Sequence, residues 1–316
     1  MTYIPSGVIP ASLMPFNADM SINEAEYRAH LGDIASVQGI TGITINGHAA
    51  EVHALTIEEQ KRAIVVTKEE LGSRLATIVG IYTESSLEAG RIAAYAQKES
   101  AEALLVFPPA FMTLGGYMRP EMITEHLRHI TDNSDLPIIL FQFPIASNLS
   151  YPLSTLIALC ERFPTIRAVK DQIGDGNQHE RQIRELKALD NPVKTLTTHS
   201  AWLLGSLAMG CDGILSGAGS VIADLQVALF QAVQAGDLKR AQAVNDRIYP
   251  TVRAFYDAPL LDMHNRMKEA LVLLGRLKES HVRPPLIKPT GEEIAKIGHM
   301  LQLAGLTSET VYRNAA

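Results

Sequence analysis

Cysteine is scarce: the 316 residues hold only Cys160 and Cys211. Both sit in apolar segments without the close pairing of metal ligands. Neither a disulfide framework nor a zinc site is expected, and the two read as reduced core residues of a cytoplasmic protein. There is no basic block and no basic stretch interleaved with aromatics, and the net charge is −6 with both signs interspersed. That pattern speaks against a nucleic-acid surface. No apolar run approaches the roughly 18 residues a membrane span needs. The first residues lack the basic and long apolar parts of a secretion signal. Short repeats and low-complexity tracts are missing too. What is present is a chain that is 47% hydrophobic, enough for a large core and inconsistent with disorder.

The apolar residues fall in short runs that alternate with helix-like segments. Eight runs read as strands, at 7–14, 42–45, 75–80, 103–107, 137–141, 166–170, 193–197 and 213–216. Those at 103–107 and 137–141 are continuously apolar, as strands covered on both faces should be. Between them, residues 23–36, 56–71, 85–100, 119–133 and 152–162 have helical patterning. Thr56 with Glu59, and Ser21 with Glu24, have capping-box spacing. Eight strand–helix units predict an α/β fold, a (β/α)8 TIM barrel over residues 1–225. From 226 to 316 the pattern is helical, with segments at 228–235, 238–248, 260–277 and 291–304 and breaks at Gly236-Asp237, Tyr249-Pro250 and Ala258-Pro259. No flexible linker intervenes, so a C-terminal helical extension packed on the barrel is expected.

Strand alternation places Ile166, Ala168 and Lys170 on one face. A lysine that closes an inward apolar strand at its C-terminal end stands where barrel enzymes carry their chemistry. A desolvated amine there can attack a carbonyl and form a Schiff base. The alternative is a solvated lysine capping a strand. The loop Asn46-Gly47-His48-Ala49-Ala50-Glu51-Val52 follows the second strand. Its small residues let backbone approach a ligand and offer N–H groups to a carboxylate, while Glu51 could pin the loop. An ordinary βα turn is the alternative. Phe141-Gln142-Phe143-Pro144 ends the fifth strand.

Taken in order, these segments resemble the dihydrodipicolinate synthase/N-acetylneuraminate lyase superfamily of class I Schiff-base barrels over essentially the whole chain. The matches are Leu13-Met14-Pro15-Phe16-Asn17 after the first strand, Gly47-His48-Ala49-Ala50-Glu51 followed by Leu55-Thr56-Ile57-Glu58-Glu59, Lys170-Asp171, and Gly210-Cys211-Asp212-Gly213-Ile214-Leu215-Ser216. The resemblance implies that Lys170 is the Schiff-base lysine and that the protein is a homo-oligomer, a tetramer built from dimers. The departures matter equally. Phe141 stands where the family has a proton-shuttling tyrosine. His48 and Ala49 replace the two hydroxyl residues of the second loop. Pro108-Pro109-Ala110-Phe111 replaces paired tyrosines. Near Ala146 there is no arginine to bind a second substrate's carboxylate. Dihydrodipicolinate synthase proper is therefore not expected.

An imine at Lys170 would make a 2-oxo acid an electron sink, open to α-proton loss, retro-aldol cleavage or dehydration. The expected substrate is a hydroxylated, sugar-derived 2-oxo acid, and no metal or organic cofactor is indicated. The amine must be neutral, and burial beside Ile166, Ala168 and Phe141 has the right sign to lower its pKa. Proton transfer falls to His48, which otherwise only hydrogen-bonds substrate. His199 is a second candidate or a helix cap, and Tyr82 a third. Gln142, opposite in parity to Phe141, is expected to face away. Gly47, Ala49, Phe141, Ser216 and Gly217 are the expected substrate-binding residues. Two other readings are a 2-oxo-acid or sugar-acid binding barrel that lost its proton shuttle, and a phosphate-binding barrel enzyme using Ser216-Gly217-Ala218-Gly219-Ser220 before a helix.

Overall fold

The computed structural model describes residues 3–198 and 200–308. Eight parallel strands form one sheet: β1 (Gly7–Pro10), β2 (Gly42–Ile45), β3 (Ala76–Ile81), β4 (Ala103–Val106), β5 (Ile138–Gln142), β6 (Ile166–Asp171), β7 (Lys194–Thr197) and β8 (Gly213–Ser216). From β2 to β8 each strand pairs with its sequence neighbour, and β1 pairs with β8. Bridges Val8–Ile40 and Ala11–Thr44 close the remaining seam. The result is a (β/α)8 TIM barrel.

Helices α1 (Glu24–Ala35), α2 (Ile57–Leu71), α3 (Ser86–Lys98), α4 (Pro120–Thr131), α5 (Leu153–Arg162), α6 (Gly176–Lys187), α7 (Leu203–Ala208) and α8 (Gly219–Gln234) follow the strands. Local chemistry sets several of their starts. Thr56 and Glu59 form the expected capping box on α2, satisfying two backbone donors reciprocally. On α1 the expected box is replaced. Asn23 caps the helix by accepting from the Glu26 backbone, while Ser21 is drawn away to Asp19.

Among the described residues three further helices follow: α9 (Leu238–Tyr256), α10 (Met263–Leu273) and α11 (Gly291–Leu303). The expected break at Tyr249-Pro250 does not occur, and Pro250 lies inside α9. Packing of buried Ile248, Thr251, Val252 and Phe255 outweighs the roughly 3 kcal/mol that an interior proline costs a helix. Helix α8 runs across position 225, so no chain break marks where the barrel ends. Among the described residues, no helix is long and apolar enough to cross a membrane, and no cluster of three or more His, Cys, Asp or Glu side chains is placed to hold a metal ion.

Candidate active site

The β5–β6 ladder shifts register by one residue between Ile138 and Ile139, which brings Phe141 opposite Lys170 and Gln142 opposite Asp171. Such irregularities re-aim side chains beside active sites. Phe141 and Lys170 consequently share the inner face. The lysine Nζ lies 4.2 Å from the centre of the Phe141 ring. Their neighbours point the other way. Gln142 donates to the Tyr151 carbonyl (2.9 Å) and accepts from its N–H (2.8 Å). Asp171 accepts from Ile173 N and Gln182, and its other contact is buried His179. No carboxylate on Asp171 therefore faces the lysine from its own strand.

Lys170 lines a cleft of about 490 Å³ with Ala11, Leu105, Phe141, Thr198 and Gln172. Only 7% of its surface is exposed, and burial lowers its pKa from 10.5 to about 7. Contact with the phenyl face favours the ammonium form by about 0.5–2 kcal/mol. The shift amounts to about 5 kcal/mol in the opposite sense, so desolvation prevails. The amine is substantially neutral near pH 7, as a nucleophile must be.

The β2 loop reaches this cleft by a tight backbone path. Asn46 is left-handed (φ 51°) and so is Glu51 (φ 53°). A side chain at Gly80 would lie 1.9 Å from the Asn46 carbonyl oxygen, so only glycine lets β3 pass. Gly47, His48 and Ala49 then face Gly217 across the cleft. His48 sits among the rings of Phe107 (4.7 Å), Tyr82 (5.6 Å), Phe143 (5.7 Å) and Phe141 (5.8 Å). Burial, then the charges of Lys170, His264 and His53, hold its pKa well below 6.5. The expectation that His48 titrates near neutrality is thereby corrected: its imidazole is neutral. Tyr82 does reach this group, as an edge contact to His48. His199 lies outside the described residues.

The far end of the loop is clamped. Glu51 and Lys268, both fully buried, form an ion pair. Lys268 also donates to the His281 carbonyl (2.7 Å), and the Arg283 N–H donates to Glu51 (3.0 Å). The Arg283 guanidinium binds Glu59 and the Met20 and Ala54 carbonyls. Burial lowers the Lys268 pKa to about 8 against the pull of Glu51.

The third wall was not legible in the sequence. Tyr256, Met263 and Met267 enter the cleft from α9 and α10. Their approach depends on how two late helices pack, and nothing local distinguishes them from core residues. The Tyr256 hydroxyl accepts from the Ala218 N–H (3.0 Å), and the neighbouring Ser200 and Ser216 hydroxyls hydrogen-bond each other (3.3 Å). Ser216, at the end of β8, is fully buried.

A profile of the dihydrodipicolinate synthetase family matches residues 4–304. The chain belongs to this family. Among curated relatives in the dihydrodipicolinate synthetase family, it is 31% identical over 307 residues to the 4-hydroxy-tetrahydrodipicolinate synthase of Bartonella bacilliformis, covering 96% of this chain and 99% of that one. It is 30% identical to the enzyme of the same name from Kineococcus radiotolerans, covering 95% and 93%. YagE, a prophage protein of the dihydrodipicolinic acid synthase family from E. coli K12 solved in complex with pyruvate, superposes with a TM-score of 0.86 at 23% identity, covering 95% of this chain and 99% of that chain. Members of this family are lyases of the class I Schiff-base type.

Proposed function

We propose that the protein is a Schiff-base lyase, an aldolase or dehydratase, acting on a 2-oxo acid through Lys170. One observation carries this reading: a buried amine, without a carboxylate partner from its own strand, faces a cleft with its pKa lowered to about 7. The carboxylate of the substrate would lie against Gly47 and Ala49 across from Gly217, with Phe141 flanking the new C=N bond, while Ser216, expected from the sequence to contact substrate, lies buried behind the cleft wall. His48, held neutral, hydrogen-bonds the substrate. Thr198, Gln172 and Tyr256 offer polar atoms to a hydroxylated arm, which supports a sugar-derived 2-oxo acid. The synthase activity named for the relatives is not proposed, because Phe141 has no hydroxyl and Ala146 no charge.

The phosphate reading is disfavoured by how the loop after β8 is filled. Ser220 donates to the Ala11 carbonyl (2.7 Å) and accepts from Leu13 N (3.1 Å), and Ala218 N is taken by Tyr256. These groups are spent on the fold. A homotetramer is proposed as well, supported by the apolar Phe111, Leu114 and Met118 exposed after β4; light scattering measures it.

Incubation with a panel of 2-oxo acids and cyanoborohydride, followed by mass spectrometry, tests the main reading. The expected adduct maps to Lys170, and turnover of the trapped acids separates a lyase from a binding protein. Adducts on another lysine, or none, would refute it. Formation of 4-hydroxy-tetrahydrodipicolinate would overturn the exclusion of the synthase.

A further inference from the structure

Imine chemistry moves at least two protons, and the β5 side of the mouth cannot move them through Phe141. The opposite side is built from hydroxyls. Tyr256 ends α9, and the turn after it is held by Asp257, which pairs with Arg253 (3.1 Å) and Lys296 (3.1 Å). The phenol is thus fixed against the ends of β7 and β8. There the Ser200 and Ser216 hydroxyls hydrogen-bond each other at 3.3 Å, and Ala218 N donates to the Tyr256 oxygen at 3.0 Å. Tyr256 and Gly217 line the same cleft as Lys170. We propose that Tyr256 is the catalytic proton relay of the Lys170 site, taking the role that Phe141 cannot perform.

This rests on the imine reading above. The neutral Lys170 amine adds to C2 of the 2-oxo acid, forming the C–N bond as the carbonyl pair moves onto oxygen. That oxygen takes a proton from Tyr256, and the nitrogen returns one, leaving a neutral carbinolamine. The nitrogen lone pair then expels the hydroxyl; the C–O bond breaks as the oxygen takes the Tyr256 proton and departs as water. Iminium and tyrosinate remain as an ion pair, with the tyrosinate held by Ala218 N–H. The tyrosinate removes a proton from C3, giving the enamine and restoring the phenol. No outside oxidant, reductant or co-reactant is needed. Burial raises the Tyr256 pKa above that of a free phenol, so the relay starts protonated.

The test uses pyruvate as probe, with two readouts: cyanoborohydride trapping and deuterium exchange into the methyl group in D2O. Tyr256→Phe keeps the ring and Lys170. Its trapping should still reach completion, while exchange at saturating pyruvate falls by about 10²–10⁴-fold with half-saturating pyruvate changed less than about threefold. Tyr256→Leu, which also removes the hydroxyl, should lower the same exchange rate by a similar factor, and it keeps the test open should Tyr256→Phe misfold. Absence of trapping in the unaltered protein would overturn the imine reading and the relay with it. Normal trapping with exchange within a few-fold of the unaltered protein, in either variant, would overturn the relay alone. So would a loss confined to half-saturation, which would make Tyr256 a mere support for the loop after β8.

Discussion

Among the described residues two lysines are buried, and they are buried in opposite ways. Lys268 meets a carboxylate, Glu51, and a carbonyl, that of His281, in a fully enclosed site. Lys170 meets a phenyl ring and an open cleft. Both have lowered pKa values, to about 8 and about 7 respectively. The difference lies in compensation. A paired charge is a structural fastener, whereas an unpaired one is held ready to lose its proton. Desolvation alone therefore does not mark a nucleophile; desolvation without an opposing charge does.

The sharpest separation should come from replacing each lysine with methionine. Lys170→Met should abolish trapping and turnover while stabilising the fold. The sign follows from linkage. The folded value near 7 lies below the unfolded value of about 10.4, so the unfolded chain binds more protons between them. Stability then rises with pH across that window, and the full penalty applies below it. The variant should gain up to about 5 kcal/mol at pH 6, with the gain gone above about pH 10.5. Urea titrations at both pH values measure it. Equal stability at pH 6 would mean that Lys170 is not desolvated.

Glu51→Gln should do the reverse. It strands the Lys268 ammonium, and breaking a buried pair costs about 3–5 kcal/mol. The double variant Glu51→Leu with Lys268→Met should recover most of that loss. If the single change left the urea midpoint where it was, the fastener role would be wrong.

The pH–rate profile gives a smaller contrast. Activity should rise about tenfold per pH unit below 7 and level off above it, because the neutral amine of Lys170 is required. Since His48 is already neutral there, this limb should persist in His48→Gln. Its disappearance would return the titration to the histidine. The smallest effect is expected for Phe141→Tyr, which adds a hydroxyl beside Lys170. Burying it without a full partner costs about 1 kcal/mol, and imine trapping should survive. Loss of trapping would show that the ring, rather than its lack of a hydroxyl, governs the lysine.

The barrel was legible because strands covered on both faces must be apolar throughout. Runs such as 103–107 and 137–141 show this without any partner in view. Lys170 was legible from strand alternation, as a charge ending the face that Ile166 and Ala168 make apolar. Thr56 and Glu59 signalled a helix start because capping is local, but Ser21 and Glu24 carried the same spacing and failed, since Asp19 competes for the serine. Glu51 was suspected of pinning its loop, yet its partner lies 217 positions away. Tyr256, Met263 and Met267 escaped notice likewise. Amphipathic periodicity shows that a face is buried, not what it is buried against. The His48 pKa was misjudged because four rings from β3, β4, β5 and their loops converge on it only in three dimensions.

The long reach of the Glu51 clamp has a consequence for how the protein is made. Residues 268, 281 and 283 leave the ribosome well after all eight strands have been translated. At about 5–20 residues per second, a nascent barrel waits several seconds with an unpaired carboxylate at Glu51 and no α10 over its mouth. During that interval the cleft beside Lys170 lacks the wall that Met263 and Met267 supply. The C-terminal helices thus finish the cleft that the eight strands begin, and the order of synthesis sets the order in which its walls close.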